Sequence, residues 1–89
     1  MNAVATPTIT VLGRDTCEDT NYSRAHLDAE GIAYSYRNVE FEPEADALIR
    51  SLNGGNWVTP TILIGDPAAP RAVLREPSNE ELDAAIRAD

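Results

Sequence analysis

The chain contains no lysine; its seven basic residues are all arginine, scattered from Arg14 to Arg87. Against fifteen acidic residues they leave a formal net charge of −8 at pH 7. No basic stripe exists to neutralise phosphates, so nucleic acid is excluded as an expected partner. The same acidity disfavours anionic membrane surfaces. No apolar run approaches the roughly 20 residues of a helical membrane span. The segment Met1 to Thr8 has neither the basic start nor the apolar stretch of a secretory signal, and a cytoplasmic location is expected. Cysteine is scarce too: Cys17 is the single one. That excludes an internal disulfide and a zinc site built on cysteine pairs, and the lone His26 does not complete one, so no metal is expected. Any disulfide must join this chain to another molecule.

What is present reads as an ordinary soluble domain. The 89 residues are 43% apolar and 25% charged, which suits one domain over residues 1–89 with a core just large enough to fold alone. Thr8-Ile9-Thr10-Val11-Leu12, ended by Gly13, predicts a buried strand. Thr16 then reads as a helix N-cap, with Asp19 completing a capping box. Tyr22, Ala25, Ala29 and Ile32 recur at helical spacing, and Gly31 is placed to end that helix. Residues 34–39 alternate as a second strand. Pro43 opens a second helix through about Leu52, with Ala45, Leu48, Ile49 and Leu52 as its apolar face. Asn53-Gly54-Gly55-Asn56 is a loop. Thr61–Ile64 and Ala72–Arg75 read as two further strands, antiparallel to each other. Pro77 ends the second, and Ser78 with Glu81 forms a capping box for a last helix whose stripe is Leu82, Ala85 and Ile86. The order is β-α-β-α-β-β-α. A leading β-α-β unit implies parallel pairing, and the closing strand pair completes a four-stranded mixed sheet in an α/β, thioredoxin-like fold.

Cys17 stands in this scheme between the first strand and the first helix. Unpaired N–H groups and the helix dipole favour negative charge at such a place, which suits a nucleophilic thiolate. The alternative is an inert thiol on an inherited scaffold. Glu18 and Asp19 follow directly. Acidic residues suit a first helical turn, yet two carboxylates oppose a neighbouring thiolate by about 1 kcal/mol each in a surface-like dielectric. They are expected to cancel most of the dipole's contribution and leave a less acidic thiol. Alternatively, they select a cationic or uncharged partner. Thr20 is placed to donate its hydroxyl to the sulfur, or is simply a first-turn residue. Arg14 either offsets the carboxylates and binds a substrate carboxylate or is a solvated loop charge. His26 lies too far down the helix to serve Cys17, and Trp57 is either core or half-exposed beside a groove.

With these motifs in order, Cys17 before Asn53-Gly54-Gly55-Asn56, then Val58-Thr59-Pro60-Thr61 and Glu76-Pro77-Ser78, the chain resembles the glutaredoxins, most closely the actinobacterial mycoredoxins. The resemblance runs from Thr8 to the last helix. It implies a cis proline at Pro60 facing Cys17, with Val58, Thr59 and Pro60 shaping a groove in which the Thr59 backbone meets a docked substrate. It implies that Cys17 reduces mixed disulfides by monothiol exchange with a diffusible small thiol, mycothiol or glutathione, and that Arg14, Pro77 and Ser78 bind that thiol. No tightly bound cofactor is implied, and the expected partners are the small thiol and disulfide-bearing proteins, with the chain a monomer. The departures are Thr20 in place of the second cysteine (Cys-x-x-Thr for Cys-x-x-Cys), Glu18-Asp19 for the usual small and aromatic pair, a permuted Val58-Thr59-Pro60, and Trp57 in a position usually polar or basic. Two rival readings stay open: a redox-inactive binding module with the same groove, and a carrier in which two chains share an iron–sulfur cluster through Cys17 and external thiols.

Overall fold

The computed structural model describes residues 6–88. Met1–Ala5, most of the segment weighed above as a signal, and Asp89 lie outside the described residues. Strand β1 (Ile9–Gly13) is buried along its whole length, which accounts for its run of β-branched and aliphatic residues. It begins and ends one residue later than the sequence pattern suggests. Helix α1 is Glu18–Ala29, β2 is Ser35–Asn38, α2 is Pro43–Leu52, β3 is Thr61–Ile64, β4 is Ala72–Arg75 and α3 is Asn79–Arg87. The strands lie in the order β2-β1-β3-β4. β1 pairs in parallel with β2 (Val11 opposite Tyr36) and antiparallel with β3 (Val11 opposite Ile62), and β3 pairs antiparallel with β4. The expected mixed sheet and element order are therefore observed.

Alternation along the two central strands divides the core between the faces of the sheet. Ile9, Val11, Ile62 and Ile64 pack with Leu27 of α1 and Leu82 of α3 on one side. Leu12 and Leu63 pack with Val39 and with Ala45 and Ile49 of α2 on the other, where Leu48, Leu52 and Trp57 close the edge. The apolar faces expected for α2 and α3 are those that pack. Ser78 caps α3 as anticipated: its Oγ accepts from Glu81 N at 3.0 Å and Glu81 Oε1 accepts from Ser78 N at 2.8 Å. Gly31, at φ 69°, closes α1 with Gly31 N bonded to Asp28 O and Ile32 N to Leu27 O. This is the paired C-terminal motif that left-handed glycine permits.

Two expectations for α1 are corrected. Its inner face is Thr20, Ser23 and Leu27, whereas Tyr22 is 57% exposed and Ala25 and Ala29 also face solvent. Close approach to β1 explains the choice of small polar side chains. A Cβ on Gly13 would stand 2.5 Å from Thr20 Cγ2 and 2.6 Å from its Oγ1, so the strand's last residue and the helix's first turn occupy one another's space. Secondly, Thr16 is not the cap and no capping box with Asp19 forms. The chain is extended at Cys17 (φ −88°, ψ 120°), which is itself the N-cap. Cys17 N is turned back onto Arg14 O at 3.2 Å, and Asn21 N makes the first helical bond to Cys17 O.

Because the Gly13–Thr20 contact sets how α1 meets the sheet, Gly13→Ala is expected to lower stability by about 1–3 kcal/mol, the usual cost of overpacking a closed contact. Urea titration of the two proteins measures it as a fall in midpoint at unchanged slope.

Candidate functional site

Strand β1 delivers the loop 14–17 to one end of the sheet, and four hydrogen bonds hold it there. Cys17 N bonds to Arg14 O. Arg14 N donates to Thr20 Oγ1 at 3.5 Å, Asn21 Nδ2 donates to Asp15 O at 2.8 Å, and Tyr36 Oη donates to Asp15 Oδ1 at 2.7 Å. The Arg24 guanidinium lies 3.7 Å from the centroid of the Tyr36 ring. Burial first, then the Asp15 carboxylate, hold the Tyr36 phenol well above its usual range, so it stays a donor. The sequence reading missed Asp15, Asn21, Arg24 and Tyr36. Only the strand register, which sets Tyr36 beside β1, would have pointed to them.

The half-buried Cys17 sulfur faces Thr59. Its thiol donates to Thr59 O at 3.4 Å and accepts from Thr59 Oγ1 at 3.3 Å. The Thr59–Pro60 peptide is cis, as the resemblance implied. The permuted Val58-Thr59-Pro60 thus turns a threonine side chain as well as a backbone carbonyl toward the sulfur. Val58 is half-buried, and its carbonyl accepts from Thr61 Oγ1 at 2.6 Å. Thr20 is fully buried beneath the site. Since its Oγ1 accepts from Arg14 N, its own proton is available to the sulfur.

The thiol's acidity follows from these contacts. Burial raises it, but the Thr20 and Thr59 hydroxyls and the backbone N–H groups of Thr20 and Asp19 outweigh that, and Cys17 ionises below the ordinary thiol range. Those N–H groups act at a distance, because the sulfur makes no full capping hydrogen bond at the helix start. The Glu18 and Asp19 carboxylates do not figure among the groups that set this acidity. Both carboxylates are exposed to solvent, which screens them, while the Thr59 hydroxyl contacts the sulfur directly.

The remaining predicted residues lie around this centre with different degrees of engagement. Thr16 is exposed in the turn and makes no hydrogen bond among the described residues. The Arg14 guanidinium sits 5.8 Å from the Trp57 ring centroid, with its Nε buried and unpartnered among the described residues. Trp57 is half-buried, its Nε1 donating to Asp46 Oδ1 at 2.6 Å, and Arg50 donates to the same oxygen at 2.8 Å. The indole hydrogen bond, then Arg50, hold the Asp46 carboxyl below its usual range. Pro60 and Pro77 are buried, and Pro60 O accepts from Glu76 N at 2.9 Å, which brings the 76–78 segment beside the cis bond. Ser78 keeps both its Oγ and its N–H within the α3 capping box. His26 bonds to Asp83 at 2.7 Å, joining α1 to α3 away from the sulfur. Among the described residues no group of three His, Cys, Asp or Glu side chains is placed to hold a metal ion. Among them, too, no helix is long and apolar enough to cross a membrane.

The hydroxyl contacts give a direct prediction. Thr20→Val keeps the shape of residue 20 and removes its donor. Alkylation of Cys17 by iodoacetamide should then fall roughly three- to tenfold at pH 7, the weight of one hydrogen bond to an ionised group. Its pH profile should move toward higher pH, while the wild-type profile rises below the range of a free cysteine peptide.

No family model matches the sequence, and no curated protein matches it. Solved structures do. The crystal structure of a glutaredoxin from Archaeoglobus fulgidus superposes with a TM-score of 0.71 at 19% identity, over 92% of this chain and 88% of that one. The solution structure of a glutaredoxin from Brucella melitensis gives 0.63 at 19% identity, over 93% of this chain and 82% of that one. Likeness at this level of identity carries architecture, and the chain has the thioredoxin-like fold of these glutaredoxins.

Proposed function

We propose that the chain is a monothiol thiol–disulfide oxidoreductase of the glutaredoxin kind, closest to the mycoredoxins, acting through Cys17 on mixed disulfides between proteins and a small thiol. The observation that carries this reading is the placement of the Cys17 sulfur at a helix start, against the hydroxyl and carbonyl of Thr59 and over the buried Thr20. A structural thiol gains nothing from such contacts, whereas hydrogen bonds that stabilise the thiolate serve a nucleophile.

In the proposed reaction the Cys17 thiolate attacks the small-thiol sulfur of the mixed disulfide. A bond forms between Cys17 and the small thiol as the original S–S bond breaks, and the protein sulfur leaves as a thiolate that takes up a proton. A second small thiol, ionised, then attacks the Cys17-bound sulfur. This releases the symmetrical small-thiol disulfide and restores the Cys17 thiolate. One mixed disulfide and one free small thiol thus give one protein thiol and one symmetrical small-thiol disulfide, and no second cysteine in the chain is needed, which is why Thr20 in the fourth motif position is compatible with turnover. Thr59 and Pro60 form the docking wall, with Val58 behind it. The small thiol is mycothiol or glutathione, with Arg14, Pro77 and Ser78 as its contacts. The reading includes a single domain, a monomer in the cytoplasm, and a diffusible thiol in place of a resident cofactor.

Incubation with oxidised mycothiol and, separately, oxidised glutathione, followed by intact mass, tests the reading. One adduct per chain should form below pH 8 faster than on a free cysteine peptide, reverse with excess reduced thiol and vanish in Cys17→Ser. Labelling that rises only above pH 8 at the peptide's rate would instead leave a binding module that keeps the groove without the reaction.

A further inference from the structure

The charges around Cys17 are unbalanced, and few polar groups there are free to bind an anion. Glu18 and Asp19 are exposed in the first turn of α1, directly after the sulfur. Glu76, exposed and with its N–H on Pro60 O, stands on the other side of the Thr59–Pro60 wall. The start of α3, which follows two residues later, carries Glu80 and Glu81. Its leading N–H, on Ser78, is already taken by Glu81 Oε1 at 2.8 Å, and Ser78 Oγ by Glu81 N at 3.0 Å.

Most of the cations are engaged with other groups, and Arg87 lies in the last turn of α3. Arg24, Arg37 and Arg50 pair with Asp15, Glu42 and Asp46. Arg75, next to Glu76, donates to Asn53 Oδ1 at 2.7 Å and Leu52 O at 2.8 Å. Arg71 reaches the carbonyls of Ala85 and Ile86. Arg14 is the one cation on the loop that carries Cys17, and it lies over Trp57. With no lysine in the chain, Arg14 is the single cation in the segment 14–19, where Glu18 and Asp19 follow Cys17, and Glu76 is held beside Pro60.

Resting on the exchange reading above, we infer that Glu18, Asp19 and Glu76 are specificity determinants that set the class of small thiol: Cys17 exchanges with disulfides of uncharged or cationic thiols and discriminates against those bearing carboxylates. Glutathione, with two carboxylates, falls on the disfavoured side. The carboxylates act on the approaching disulfide through space, so the discrimination is electrostatic and salt-sensitive.

Three disulfides of graded charge test it: cystamine (cationic), bis(2-hydroxyethyl) disulfide (neutral) and glutathione disulfide (anionic). Capture of Cys17 is timed by intact mass at about 0.01 M and about 0.5 M salt, where screening lengths differ several-fold. Each rate is divided by that of an unstructured cysteine peptide. The expected normalised preference for cystamine over glutathione disulfide is about tenfold or more at low salt, shrinking toward unity at high salt. Glu18→Gln with Asp19→Asn should reduce it about fivefold or more, chiefly by accelerating glutathione disulfide, and Glu76→Gln should act in the same direction. Asp28→Asn removes one charge eleven residues along α1, about 16 Å away, and should leave the preference unchanged. A preference near unity at low salt, or one that Glu18→Gln with Asp19→Asn does not move, overturns the inference while exchange itself stands. Normalised rates at or below the peptide's for all three disulfides overturn the exchange reading and this one together.

Discussion

Thr20 fills the space that a side chain on residue 13 would need, and much of the site's arrangement hangs on that mutual exclusion. A glycine at the end of β1 lets the first turn of α1 rest against the strand. Resting there, Thr20 takes the Arg14 N–H on its oxygen and keeps its proton for the sulfur. The turn from Arg14 to Cys17 is then short enough for the Cys17 N–H to close on Arg14 O, which leaves the cysteine as the last extended residue before the helix. A small residue in the strand and a small polar one in the helix thus settle where the nucleophile sits before any residue of the facing loop is considered.

The second constraint comes from the other side of the sheet's end. β3 begins immediately after the cis Thr59–Pro60 bond, and its antiparallel register with β1 sets Thr61 opposite Leu12. The loop that precedes it is anchored twice: Arg75 and Asn53 tie it to β4 and α2, and Trp57 is fixed by Asp46. The sulfur therefore lies between two independently held walls, and contact donors rather than distant charges decide its acidity. The exposed carboxylates add only a through-space field at the mouth of the site, which salt attenuates.

Much of this architecture was legible in the order of residues. Pro43, Ala45, Leu48, Ile49 and Leu52 described α2 to its observed ends, and the Ser78–Glu81 pair marked the start of α3, because in both places local chemistry and burial agree. Around α1 they disagree. A spacing rule looks for apolar residues and finds Tyr22, Ala25 and Ala29, but the inward positions near Gly13 admit only small side chains, and Thr20 and Ser23 occupy them. A capping rule looks for a hydroxyl and finds Thr16, but the turn closed by Cys17 N moves the helix start on by one residue. The pairing of Cys17 with Thr59, 42 residues away, was visible only through the resemblance. The Trp57–Asp46 and Tyr36–Asp15 bonds depend on where loops and strands meet, and no local pattern announces them.

The contact between the Cys17 thiol and the Thr59 carbonyl couples two events that are usually considered apart. While protonated, the sulfur supplies that carbonyl with its donor. When the proton leaves, the oxygen faces an anion and is left without one, a state that another N–H would relieve. A partner strand donating its own N–H to Thr59 O therefore competes with the thiol proton. By reciprocity, whatever occupies that acceptor favours the thiolate, and whatever ionises the sulfur favours occupation. The Thr59 carbonyl thus joins the two: it holds the thiol proton while the sulfur is neutral and is left a free acceptor once the sulfur ionises.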